Sequence, residues 1–214
     1  MNLTKKVLFL GNSFTFVNNL PAIVESFGRT HSSFWGFGAA TFQTLSKSLP
    51  THLKNERFDA VIMQEQSMFL AMDSSFYRQN SVPWAITLAS QVQASRIILM
   101  ETWAYENGNP SFLTGLNDTY AKMQARLKTG YEYTSLQLSA RGHNNVTIAY
   151  AGEAWSRALQ YSLWQQDGQH PRLAGSYLAA CVVYRTLHGI TPPYRARKGI
   201  RKKLALKLIN ISKG

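Results

Sequence analysis

Short apolar runs alternate along this chain with longer stretches in which apolar residues recur every three or four positions. The runs fall at residues 7–10, 33–37, 58–63, 96–100 and 146–150. Each reads as a strand, and the run at 58–63 has the continuous apolar character of one buried on both faces. Between them, residues 20–27 carry helical spacing with Pro21 in the tolerated first turn. A further helical stretch is interrupted by Pro50, and another spans 82–94 with Pro83 at its start. Leu113, Leu116, Tyr120, Met123 and Leu127 form an amphipathic stripe, residues 153–164 follow the fifth strand as a helix, and a last core helix at 173–187 ends at Gly189. Strands alternating with helices of this length predict βαβ units, and so a three-layer α/β/α doubly wound domain with a mainly parallel sheet of about five strands. In such folds ligands bind beyond the carboxyl ends of the strands. The polar clusters beginning at Gly11, Gly38, Gln64, Trp103 and Gly152 all fall there.

Length and charge change this picture only at one end. With 214 residues and 45% hydrophobic content, the chain suits one sizeable core, expected over residues 1–193. The formal net charge of +12 suggests a polyanionic partner, but ten of the 23 basic residues lie beyond Asp167, the last of the 11 acidic ones. The basicity therefore belongs to residues 194–214, where Ile200, Leu204, Leu208 and Ile211 space out a basic amphipathic helix. That helix either docks on the domain with its charges in water or meets an anionic surface, and no obligatory nucleic-acid partner is implied. No apolar run reaches membrane-spanning or signal-peptide length, which gives the expectation of a cytoplasmic protein. Cys181 sits in the apolar pattern of the last helix and reads as core.

The chemistry begins at Gly11-Asn12-Ser13, where an apolar strand breaks into a helix. A hydroxyl there sits where backbone N–H groups point outward and favour developing negative charge. A nucleophilic serine needs a base and a group that orients the base. Of five histidines, only His170 has a carboxylate framing it, in Asp167-Gly168-Gln169-His170-Pro171. Each motif alone is an ordinary turn. Together, at opposite ends of a five-strand α/β pattern, they resemble the first and last signature blocks of the SGNH/GDSL hydrolase superfamily, and Gln64-Glu65-Gln66-Ser67 with Thr102-Trp103-Ala104-Tyr105 and Gly152-Glu153-Ala154-Trp155 resembles a divergent bacterial branch of it.

The resemblance implies a flavodoxin-like strand order, a catalytic triad of Ser13, His170 and Asp167, and an oxyanion hole. Its backbone donors would be the N–H groups of Ser13 and Ala39, the latter standing where the family has glycine, with Gly38 just before it. The side-chain donor would be Gln66, in Gln64-Glu65-Gln66-Ser67, where the family has Gly-x-Asn-Asp. The implied function is a serine esterase acting on small acyl esters, acetyl above all, borne by a small molecule or carbohydrate, with no cofactor and no metal. Trp103 and Tyr105 are candidates to stack on a sugar, with core packing as the alternative. Glu65, Glu101, Glu106 and Glu153 read as hydrogen-bonded or paired acids in preference to a glycosidase pair. Two other readings stay open: a catalytically silent ligand-binding protein on the same fold, and a polyanion-binding module that uses the tail.

Overall fold

The computed structural model describes residues 4–109, 117–195 and 197–213. Its strands are β1 (Lys5–Gly11), β2 (Thr30–Gly36), β3 (Arg57–Phe58), β4 (Ala60–Met63), β5 (Gln93–Ala94), β6 (Ile97–Glu101) and β7 (Val146–Tyr150). Five of them form one parallel sheet in the order β2-β1-β4-β6-β7. This is the flavodoxin-like order, and strand order reverses at β1, so the crevice at its carboxyl end is the expected ligand position. Val7 to Leu10 and Ala60 to Met63 are buried, as two-sided burial of central strands requires.

The helices are α1 (Ser13–Phe16), α2 (Leu20–Ser26), α3 (Phe42–Ser48), α4 (Thr51–Asn55), α5 (Ser67–Ala71), α6 (Ser74–Asn80), α7 (Val82–Gln91), α8 (Tyr120–Ala140), α9 (Ala151–Ser156), α10 (Leu173–His188) and α11 (Lys202–Ile211). On one side α2, α9 and α11 pack around α10; on the other α3 packs on α7, and α5 and α7 pack on α8. The α10 helix stops at Gly189, whose φ of 71° is the left-handed C-cap that glycine adopts without strain.

Four expectations change in detail. The run at 58–63 splits at Asp59, which exchanges hydrogen bonds with the Lys6 backbone, so that Arg57–Phe58 pairs instead with Gln93–Ala94 in a small second sheet. That pairing also ends the helix expected over 82–94 at Gln91. The helix expected over 153–164 stops at Ser156, because the chain must fold back: Trp164 pairs with Pro171, and Arg172 N–H donates to Leu163. Two short helices, α5 and α6, occupy a stretch with no helical reading, each started by a side-chain cap from Gln66 or Asp73. Of the stripe on α8, Leu113 and Leu116 lie outside the described residues.

The basic helix is α11, within the tail expected at 194–214. It buries Ala205, Leu208 and Ile209 and packs against α10, while Arg201, Lys202, Lys203 and Lys207 are exposed. Cys181 is fully buried, and burial pushes its thiol pKa up. Among the described residues no helix is long and apolar enough to cross a membrane.

Candidate active site

Gly11 ends β1 where no side chain fits: an added Cβ would collide with Thr15 Oγ1 and with Gln64 Oε1. Gly36, its neighbour on β2, is held to glycine by the Gly11 carbonyl oxygen itself. The chain then turns at Asn12, whose Oδ1 accepts the Phe14 N–H at 3.1 Å and caps α1. Ser13 is thus the first residue of α1, with its hydroxyl at the carboxyl end of β1. Buried Gln64 pins this turn from β4, since its Oε1 accepts Asn12 N–H and Thr15 Oγ1–H, both at 3.0 Å.

Across 157 residues, His170 comes to Ser13. Its Nε2 lies 2.9 Å from Ser13 Oγ, and its Nδ1 lies 2.6 Å from Asp167 Oδ2. The Asp167 turn holds itself together: Oδ1 accepts the N–H groups of Gln169 and His170, each at 2.9 Å, and Gly168 takes a φ of 67°. Trp103 Nε1–H donates to the Gln169 carbonyl at 3.0 Å, and the edge-on ring of Phe14 lies 5.6 Å from the imidazole. From below, Asn18 donates to the Pro171 carbonyl and to Ser176 Oγ. Partial burial of Asp167 opposes its ionisation. The Gln169 amide and the His170 imidazole and amide outweigh that and hold its carboxyl below the usual range. An ionised Asp167 favours the tautomer with the proton on Nδ1, which leaves Nε2 to accept the Ser13 proton.

A cavity of about 360 Å³ opens over Ser13, and Ala39, Gln66, Tyr105 and His170 are among its walls. Asn12 Nδ2–H donates to the Ala40 carbonyl at 3.0 Å, which ties the loop carrying Ala39 to the Ser13 turn. Ala39 has a φ of 56°, a left-handed backbone that glycine takes more readily than alanine. The Gln66 side chain caps α5, with Oε1 accepting Met68 N–H at 2.7 Å. That leaves its amide NH₂ for other partners. Tyr105 is nearly buried beside Gln66; burial, with the Asp167 charge in addition, pushes its hydroxyl to about 12, so it stays neutral.

Trp103 corrects the sequence reading. It has no exposed surface, stacks between Phe14 at 4.8 Å and Trp155 at 4.0 Å, and forms the floor under the Asp167–His170 turn, out of a sugar's reach. Tyr105 does reach the cavity. The supporting roles of Gln64, Asn18 and Phe14 went unread, although a glutamine abutting a buried strand is itself a signal of hydrogen-bonded burial. Glu101 is buried among Gln124 and the Glu153 amide, away from the cavity. A larger cleft of about 460 Å³ at the β7 edge, lined by Glu132, Glu153 and Arg185 among others, contains none of Ser13, Asp167 and His170. Among the described residues no cluster of three metal-ligating side chains occurs.

No protein-family model matches the sequence, and no curated protein does. Solved structures do match the fold. A protein from Slackia heliotrinireducens provisionally classed as an SGNH hydrolase is 24% identical over 86% of this chain and 99% of its own, with a TM-score of 0.67. A DUF4886 family protein from Bacteroides uniformis is 19% identical over 96% of this chain and 93% of its own, with a TM-score of 0.74. Axe2, an acetylxylan esterase from Geobacillus stearothermophilus, is 17% identical over 88% of this chain and 96% of its own, with a TM-score of 0.59. Axe2 is known as catalytic mutants in which a histidine, a serine or an aspartate is replaced by alanine. The chain has an SGNH-hydrolase-like α/β fold.

Proposed function

We propose that this protein is a serine ester hydrolase that removes small acyl groups, acetyl in particular, from a carbohydrate through an acyl-enzyme. The observation that carries the reading is the unbroken relay from Ser13 Oγ to His170 Nε2 and from His170 Nδ1 to Asp167 Oδ2, at 2.9 and 2.6 Å, on the wall of a cavity. Ser13 attacks the ester carbonyl as His170 takes its proton, and Asp167 stabilises the imidazolium that forms. The N–H groups of Ser13 and Ala39 and the Gln66 amide then receive the oxyanion, a donor in such a hole being worth about 3 kcal/mol. His170 returns its proton to the leaving alcohol, and water, activated by the same imidazole, releases the acid.

Two features support the substrate class. The site cavity, with Phe14 and Tyr105 among its walls, suits a small acyl group. A second, polar cleft of about 310 Å³ shares Tyr105 and Gln169 with it and has the exposed Asn107 and Asn117 among its walls, groups that suit the hydroxyls of a sugar. The fold likeness to an acetylxylan esterase points the same way.

Labelling with a fluorophosphonate, followed by peptide mapping, tests the reading, with p-nitrophenyl acetate and acetylated xylo-oligosaccharides as substrates. We expect one adduct, on Ser13, and loss of both activities in Ser13→Ala. Equal rates for the wild type and Ser13→Ala would refute the mechanism, and acetate release from the small ester alone would refute the carbohydrate substrate.

A further inference from the structure

Glu65 takes no part in the relay, yet it is a fully buried acid at the carboxyl end of β4, between the two loops of the oxyanion cradle. Its Oε1 accepts two backbone N–H groups, from Phe42 at 2.9 Å and from Gln66 at 2.8 Å, and its Oε2 accepts Ser81 Oγ–H at 2.6 Å. Phe42 opens α3 immediately after the loop that carries Ala39, so one carboxylate oxygen joins that loop to the segment carrying Gln66. On the other side, Glu65 N–H donates to the Tyr131 hydroxyl of α8 at 3.2 Å.

We infer that Glu65 is a positioning residue that sets the separation of the Ala39 amide and the Gln66 side chain, so that both donors meet the same oxyanion. The inference rests on the ester hydrolase reading above. A carboxyl in this place is costly to bury, and an apolar residue of similar size would pack as well, but it could not accept two converging amides. Among the described residues no Lys, Arg or His lies within ion-pair distance of it; Tyr131 is the titratable group that touches it. Burial raises its pKa to about 7, so both protonation states occur near neutrality. Both hold the bracket, since a proton on Oε2 can be donated to Ser81 Oγ while Oε1 keeps the two amides.

The test compares Glu65→Gln and Glu65→Leu, each alone and in a Gln66→Ala background, using kcat and KM on p-nitrophenyl acetate together with thermal melting. Glutamine rebuilds the bracket, its Oε1 accepting the amides and its NH₂ facing Ser81, and should hold kcat within about threefold of wild type. Leucine should lower kcat by on the order of 10²-fold, the scale of an ångström's misplacement of a catalytic group, with KM within about threefold. In the Gln66→Ala background the leucine effect should shrink to under about fivefold, because the donor it misplaces is already gone. Multiplying effects, an undiminished kcat in Glu65→Leu, or a glutamine variant as impaired as leucine overturns the inference. If Glu65→Leu does not fold, Ser81→Ala takes its place, with an expected kcat loss of about threefold to tenfold that vanishes in the Gln66→Ala background. A wild type without Ser13-dependent hydrolysis sinks the ester hydrolase reading itself; an active wild type without this coupling sinks only the role of Glu65.

Discussion

Replacing Asp167 by asparagine separates what this carboxylate does electrically from what it does for its turn. Oδ1 accepts the amides of Gln169 and His170 at 2.9 Å, and an asparagine carbonyl can accept the same pair. The atom 2.6 Å from His170 Nδ1 then becomes an NH₂, which only donates. The flipped amide is no escape, since it would aim that NH₂ at two backbone N–H groups. The imidazole must present Nδ1 as an acceptor and carry its proton on Nε2, facing Ser13 Oγ at 2.9 Å, where it can no longer accept the serine proton. In a triad with a buried aspartate this change lowers kcat by about 10⁴. Here the Asp167 side chain is 44% exposed, and water takes up part of its effect on the ring. We therefore expect a loss of roughly 10²- to 10³-fold in kcat, about 3–4 kcal/mol of barrier. Asp167→Ala should be no worse than the asparagine variant, because water in the vacated space can accept from Nδ1–H. The assay is kcat on p-nitrophenyl acetate with melting temperatures as a control for folding. Activity of Asp167→Asn within tenfold of wild type, or an alanine variant far worse than asparagine, would refute the tautomer argument.

Gln64→Ala removes the acceptor for Asn12 N–H and Thr15 Oγ1–H, both buried, and should cost on the order of 2–5 kcal/mol in urea unfolding along with a fall in kcat; an unchanged midpoint would count against the pinning role. Ala39→Gly should raise stability by up to about 1 kcal/mol, because relief of the left-handed strain at φ 56° exceeds the added flexibility of the unfolded chain; the same urea titration reads it, and a loss would mean that Ala39 contributes contacts not described above. Burial raises the carboxyls of Glu65 to about 7 and Glu101 to about 8. From about pH 4.5, where the unfolded carboxyls ionise, up to about 7 and 8 the native chain holds protons that the unfolded chain has lost, so their contribution to stability should fall as pH rises, and Glu101→Gln should flatten that slope. Burial, helped by nearby Lys5, Arg29 and Arg96, lowers His188 to about 4, with the opposite sign: between about pH 6.5 and 4 the unfolded chain binds a proton that the native one excludes, which offsets part of the carboxyl slope, so replacing His188 should steepen the fall of stability with pH over that range. A stability profile flat from about pH 6.5 to 8 would contradict the carboxyl assignments, and a His188 variant with an unchanged slope below about pH 6.5 would contradict that of the histidine.

The sequence by itself determined the strands of the sheet and marked the candidate groups, because both are written in local signals. Apolar runs such as Val7–Leu10 and the four-residue stretch from Ala60 had to be two-sided strands, and Asp167-x-x-His170 folds into a turn through contacts three residues apart. Pairing that turn with Ser13 was legible only as a resemblance, since nothing local relates residues 157 positions apart. The tertiary structure decided what depends on packing partners. It made Trp103 a floor instead of a sugar platform, because Phe14 and Trp155 cover both of its faces. It cut the helix after β7 at Ser156, because the Trp164 strand-like pairing with Pro171 was needed to return the chain to the site. It also gave Ala39 a left-handed backbone and joined two distant loops through Glu65. Backbone sign and shared acceptors are properties of approach between segments, and spacing along the chain does not encode them.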